Sequence, residues 1–103
     1  MKTGIELVAE ERQRQIKEEN FSIIHDVKQY ANNSQLEYAA VAYALPDELT
    51  TQWQRDNLFH RSNLFPWDKE WWKPSPNDRV RELVKAAALL IAKIDVELNA
   101  SKK

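Results

Sequence analysis

The chain contains no cysteine and one glycine, Gly4. The first absence excludes disulfides and thiolate metal sites and fits a cytoplasmic setting. The second excludes glycine-rich phosphate loops of the Rossmann or Walker kind, whose backbone must approach a pyrophosphate closely. No apolar run approaches the length of a membrane span, and the acidic, amphipathic N-terminus is unlike a signal peptide, so no membrane association is expected. Neither sign of charge predominates. With 15 basic and 16 acidic residues the net charge is −1, which leaves no broad basic field for duplex nucleic acid. A chain of 103 residues predicts one helical domain, 1–103, near the low end of self-sufficient size. A core that small leaves apolar surface uncovered, which points to a homo-oligomer.

What the sequence does have is tryptophan, concentrated in one place. Residues 64–74 (Leu-Phe-Pro-Trp-Asp-Lys-Glu-Trp-Trp-Lys-Pro) hold three of the four tryptophans and two of the four prolines. Pro66 and Pro74 exclude a regular helix across the segment, so an ordered aromatic loop is expected just before the last helix. Each indole brings a large apolar face and one N–H that needs an acceptor. Three of them either lock the loop onto a small core or wall a pocket for a ring-shaped ligand.

The rest of the pattern is helical, and no strand pattern of useful length competes. Helix one is expected over about 4–19, opened by the capping-box pair Thr3 and Glu6. Its apolar stripe is Ile5, Val8, Ala9 and Ile16. Arg12 falls on that stripe and needs a carboxylate or an anionic ligand, with Asp26, Asp68 and Asp95 the candidates. Residues 20–33 read as a loop or short irregular element. Helix two is expected over 35–45, with Ser34 and Glu37 at capping-box spacing, alanines that allow close helix approach, an inner face of Leu36, Tyr43 and Ala39 or Ala40, and Pro46 as its stop. Residues 47–63 are weakly patterned, and 57–63 read as mobile. Helix three is expected over about 76–98, with Ser75 as cap and Pro76 in the first turn. Its broad apolar stripe is Val80, Leu83, Val84, Ala87, Leu90, Ile91, Ile94 and Leu98. The expected fold is therefore all-α, a small three-helix bundle with an ordered Trp/Pro-rich loop before the last helix.

Four constellations could carry chemistry. Trp67, Trp71 and Trp72 offer stacking faces, and Lys73, Arg79, Arg81 and Lys85 place cations beside a helix start whose N–H groups suit phosphate. The plain alternative is that the rings fill a core and the cations solvate a helix face. His25-Asp26 could supply an oriented imidazole, although adjacent residues seldom face each other, and a loop anchor is the simpler reading. Arg12 with Gln15 could clamp an anion or be purely structural. The acids of helix one, above all Glu6 and Glu10 one turn apart, could share magnesium with Glu19 and Asp26. All-α nucleotide pyrophosphohydrolases of the MazG type use acid pairs on two facing helices. Here Glu10-Glu11 is followed by Arg14, and Asp78 with Glu82 does not rebuild the second set. These glutamates otherwise read as a solvated face with pairs such as Glu10–Arg14.

Several stretches taken together resemble a widespread group of short bacterial and phage or prophage proteins. They are Gly4-Ile5-Glu6-Leu7 with Glu11-Arg12-Gln13-Arg14-Gln15, His25-Asp26, Tyr38-Ala39-Ala40, Phe65-Pro66-Trp67-Asp68, Trp71-Trp72-Lys73-Pro74 and Arg81-Glu82-Leu83-Val84-Lys85-Ala86. The likeness covers most of the chain outside roughly 45–63. The chain departs from the group at Val27, where a second acid follows His-Asp, and at Ala87, where the group tends to have glycine. The resemblance implies a phage context and transfers no activity.

On this reading the chain is expected to be a non-enzymatic protein that binds and sequesters a nucleotide-derived or phosphorylated signal, as a counter-defence sponge. The expected ligand contacts are Arg12, His25, Asp26, Trp67, Asp68, Trp71, Trp72, Lys73, Arg81 and Lys85, with no catalytic residue, resident metal or cofactor. The alternatives are a magnesium-dependent nucleotide hydrolase using Glu6, Glu10, Glu19 and Asp26, and a protein-binding inhibitor or adaptor of a host enzyme.

Overall fold

The computed structural model describes residues 1–18, 30–46, 52 and 60–100. Among these there are three main helices and no strand: α1 (Gly4–Glu18), α2 (Gln35–Ala44) and α3 (Arg79–Ala100). Two short 3-10 turns, Arg61–Leu64 and Lys69–Trp71, precede α3. This is the small all-α bundle that the periodicity predicts, with the tryptophan segment ordered against it. The expectations that concern Glu19, His25 and Asp26 lie outside the described residues.

The capping box of α1 forms as its spacing predicts. The Thr3 N–H donates to Glu6 Oε1 at 3.1 Å and the Glu6 N–H donates to Thr3 Oγ1 at 3.3 Å, so two orphan donors of the first turn are satisfied. The second capping box does not form. Ser34 sits at the N-cap of α2 without a side-chain bond. Asn33 Oδ1 accepts from the Gln35 N–H instead, at 3.1 Å, while Glu37 lies 3.8 Å from Lys93 Nζ. At the other end Leu45 is extended and Pro46 follows, which excludes continuation of the helix.

Helix α3 starts later than expected. Asp78 is its cap, with Oδ1 accepting from the Arg81 N–H at 3.0 Å and its carbonyl from the Glu82 N–H at 3.2 Å. Residues Ser75 to Asp78 form a separate turn closed by Asp78 N–H to Ser75 O at 2.9 Å. The Asp78 carboxylate therefore occupies the helix start whose N–H groups the sequence offers to phosphate.

The core is alanine against alanine. Ala39, Ala40 and Ala42 of α2 and Ala86, Ala88 and Ala92 of α3 are buried, with Leu36, Tyr43, Leu89 and Val96 filling between them. Small side chains let the two axes approach, as the alanine content of helix two predicts. Lys93, on α3, reaches back under this core and donates to the carbonyls of Tyr30 and Asn33, both at 3.0 Å.

The inner face of α1 differs from the expected stripe. Its buried residues are Glu11, Arg12 and Gln15, whereas Ile5 and Ala9 are exposed and Val8 and Ile16 half-buried. The reason lies on α3, which presents charge to this helix. Arg81 Nη1 meets Glu11 Oε1 at 2.8 Å and Arg12 Nη2 meets Asp95 Oδ2 at 3.5 Å. The Arg12–Asp95 pairing is one of the three that the sequence allows.

The segment before α3 is held by a buried ionic knot. Arg61, 2% exposed, donates to Glu82 Oε2 at 2.5 Å and to the carbonyls of Tyr43 and Leu45 at 3.3 and 3.0 Å. Arg79 donates to the carbonyls of Tyr43, Ala44 and Leu45 and to Glu82 Oε1. Two guanidinium groups thus satisfy the carbonyls that end α2, where positive charge is favoured. Residues 60–63, read from sequence as mobile, are ordered by this knot.

Candidate functional site: an aromatic and charged cavity

The tryptophan segment is positioned from α2. The Lys73 N–H donates to the Tyr43 hydroxyl at 3.2 Å, and Lys85 Nζ donates to the Lys73 carbonyl at 2.9 Å while lying 5.5 Å from the Tyr43 ring centroid. Trp67 is half-buried. Its Nε1–H donates to Gln35 Oε1 at 3.2 Å, and its ring meets Phe65 edge-on at 5.5 Å and Tyr30 at 6.0 Å. With both its N–H and its ring edges engaged, Trp67 is a rigid wall.

Trp71 and Trp72 diverge. The second 3-10 turn, closed by Trp71 N–H to Asp68 O at 2.9 Å and Trp72 N–H to Lys69 O at 3.1 Å, sends successive side chains in different directions. Trp72 stacks on Tyr43 at 4.7 Å with 28° between planes, and lies under Arg61 at 5.4 Å. Trp71 is 60% exposed.

Between α1, α3 and this segment lies an open cavity of about 830 Å³, a volume typical of small-molecule sites. Trp67, Asp68, Trp71, Lys73, Arg81 and Lys85, six of the residues singled out in the sequence, border it. Tyr30, Tyr43, Phe65 and Pro66 complete its aromatic side, and Glu11, Arg14, Gln15 and Glu18 of α1 its polar side. Arg12 and Trp72 stand elsewhere: Arg12 is held toward Asp95, and Trp72 is packed behind the cavity wall against Tyr43.

The polar side is organised around Glu11. Arg14 donates to both of its carboxylate oxygens, at 2.9 and 2.8 Å, and Arg81 approaches at 2.8 Å. Burial by itself would raise the Glu11 pKa; the Arg14 hydrogen bond and the Arg81 charge outweigh it and hold the group below its ordinary value. Arg14 also reaches Glu18 at 3.3 Å. The expected Glu10–Arg14 pair is replaced, since Glu10 joins Lys2. Gln15 borders the cavity, is 3% exposed, and has no hydrogen-bond partner for its Oε1 among the described residues. A buried carboxamide oxygen left unpaired costs about 1–3 kcal/mol, so this residue awaits a donor.

Among the described residues four cations border the cavity against three carboxylates, which suits a ligand with a modest negative charge. For metal, the donors are poorly placed. Glu6 is engaged by Thr3 and Glu10 by Lys2, and among the described residues no group of three or more His, Cys, Asp or Glu could hold an ion. Sequence reasoning missed Glu11 and Arg14 because a charged pair at spacing three reads equally well as a solvated face. The one clue is that Arg12 and Gln15, each adjacent in the chain to a member of that pair, already place polar groups on the inward stripe or at its edge.

The fold and cavity together define a small helical bundle with a ring-walled, charge-balanced hollow. No known protein family, curated protein or solved structure matches the chain.

Proposed function

We propose that the protein binds a nucleotide-derived or similarly phosphorylated small molecule in this cavity and holds it without turnover, in a cytoplasmic phage or prophage setting. The observation that carries the reading is the convergence of Trp67, Trp71, Lys73, Arg81 and Lys85 on one hollow. Trp67 is fixed and Trp71 is open, so a planar base entering between α1 and the loop meets one rigid wall and one adjustable face. Stacking of this kind is worth about 1–3 kcal/mol per base. Lys73 follows the rings in the chain, Arg81 and Lys85 lie on the first turns of α3, and all three border the same cavity as Trp67 and Trp71. Gln15 supplies a buried carboxamide, whose adjacent donor and acceptor match a base edge that carries an amino group.

Sequestration is favoured over hydrolysis because Glu11 and Glu18 of the cavity are already paired with arginines and, of the acids of the magnesium reading, Glu6 and Glu10 are held by Thr3 and Lys2. The test is calorimetric titration with a set of mono-, di- and cyclic nucleotides, followed by denaturation and mass analysis of the recovered ligand. Saturable binding with intact recovery is expected. A magnesium-dependent product, or no binding across the set, overturns the reading.

A further inference from the structure

We infer that α3 pairs antiparallel with α3 of a second copy of this chain, along the row Val80, Leu83, Ala87, Leu90, Ile94 and Leu98. The large members of the row are exposed by 59, 46, 45, 55 and 56% for Val80, Leu83, Leu90, Ile94 and Leu98. They recur at steps of three and four, the spacing of a coiled-coil seam. The other sides of α3 are occupied. Ala86, Leu89, Ala92 and Val96 belong to the core shared with α2, and Arg81 and Asp95 engage α1. Among the described residues the row is the side of α3 that remains uncovered, about 27 Å long from Val80 to Leu98 at 1.5 Å per residue. A continuous apolar surface of that extent on a small chain marks a contact site.

The occupant follows from the row itself. An antiparallel register that sets Ala87 against Leu90 of the second copy also sets Leu83 against its Ile94, so a small side chain meets a large one at the centre and two branched ones meet on either side. A parallel pair would set Ala87 against Ala87 and leave a gap. The antiparallel register further brings Arg79 beside Glu97 of the second copy, since both lie on the same flank of the row. Their side chains are 41% and 62% exposed, so each can add this contact to the partner it already holds within the chain, Glu82 for Arg79 and Lys93 for Glu97. One helix pair of this length buries less than the roughly 800 Å² per partner of a standard interface, so the dimer is a weak one that dissociates on dilution. This inference is independent of any ligand.

The test uses the full chain and its lack of cysteine. Light scattering and native mass spectrometry at micromolar concentrations should give a dimer, and Leu90→Glu should give a monomer of unchanged helicity. Ala87→Cys and Leu90→Cys are made as separate proteins, mixed and oxidised. The mixed cross-link should form faster than either homogeneous one, a readout that keeps the fold intact whatever Leu90→Glu does. A monomeric wild-type chain overturns the inference. So does a dimer that survives Leu90→Glu, or a dominant Leu90→Cys homogeneous cross-link. A wild-type monomer that Leu90→Glu destabilises overturns it as well, because the row would then be covered within the chain.

Discussion

Trp71 and Trp72 are chain neighbours with opposite roles, and the difference is measurable. Trp71 stands 60% exposed at the cavity, so Trp71→Ala should weaken nucleotide binding by about 1–3 kcal/mol while shifting stability by no more than about 0.5 kcal/mol. Trp72 is stacked on Tyr43 and covered by Arg61, so Trp72→Ala should cost about 2–4 kcal/mol of stability in urea unfolding. Unchanged nucleotide affinity in Trp71→Ala would mean that Trp71 touches no ligand. A second residue-level consequence concerns acid. Burial alone would raise the Glu82 pKa; the hydrogen bond and charge of Arg61, then the Ser75 N–H and Arg79, outweigh it and hold the carboxyl below its ordinary 4.5. The stabilisation from a depressed carboxyl is complete above its unfolded value and is lost as pH falls through the folded one. Glu11 behaves alike. The melting temperature should therefore be flat near neutrality and fall once pH drops below 4.5, the ordinary value of both groups. Glu82→Gln should be less stable at neutral pH and lose part of this acid sensitivity, as followed by circular dichroism. Removing Arg61 strands a buried carboxylate, and Arg61→Met should cost about 3–5 kcal/mol.

At the scale of the element, the caps separate what spacing can tell from what it cannot. Thr3 and Glu6 are local, close on each other, and form as written in the sequence. Ser34 and Glu37 have the same spacing, but Lys93, from a distant helix, stands near the glutamate, and Asn33 takes the N–H. For α3, Asp78→Ala should cost about 1 kcal/mol, because Asp78 Oδ1 caps the Arg81 N–H. Ser75→Ala should be nearly neutral in the same thermal unfolding experiment, since Ser75 contributes its backbone N–H to Glu82. A large loss at Ser75 instead would restore the earlier helix start. The polar inner face of α1 belongs here too. Ile5, Val8, Ala9 and Ile16 make a fair apolar stripe in isolation, yet Arg81 and Asp95 of α3 select Glu11 and Arg12, because a charge on one helix face has to be answered on the other.

At the scale of the whole molecule, the cavity exists because α1, α3 and the proline-bounded segment leave a wedge that the alanine core does not fill. Ligand bound there should raise the melting temperature by mass action, by about 2.7 kcal/mol of stability at a hundredfold excess over Kd. Because the lining is nearly charge-balanced, raising salt should weaken binding of a phosphorylated ligand only modestly, far less than it weakens a protein that tracks a nucleic-acid backbone. A steep salt dependence of Kd would place the binding on an exposed basic surface elsewhere. The same scale carries the exposed row of α3, where the sequence stripe is wider than the bundle can cover.

The sequence by itself determined the helices, the first cap, the proline stop after α2, and the loop in which the tryptophans sit, because each depends on residues within a few positions of one another. It also marked six of the residues that border the cavity, through the nearness of rings and cations along the chain. Only the tertiary structure decided that Arg61 and Glu82 hold the loop, that Glu11 is buried, that Trp72 turns inward and Trp71 outward, and which part of the α3 stripe stays uncovered. Those outcomes rest on pairings between groups far apart in the chain, and a charge or an apolar face has no fixed partner until packing supplies one.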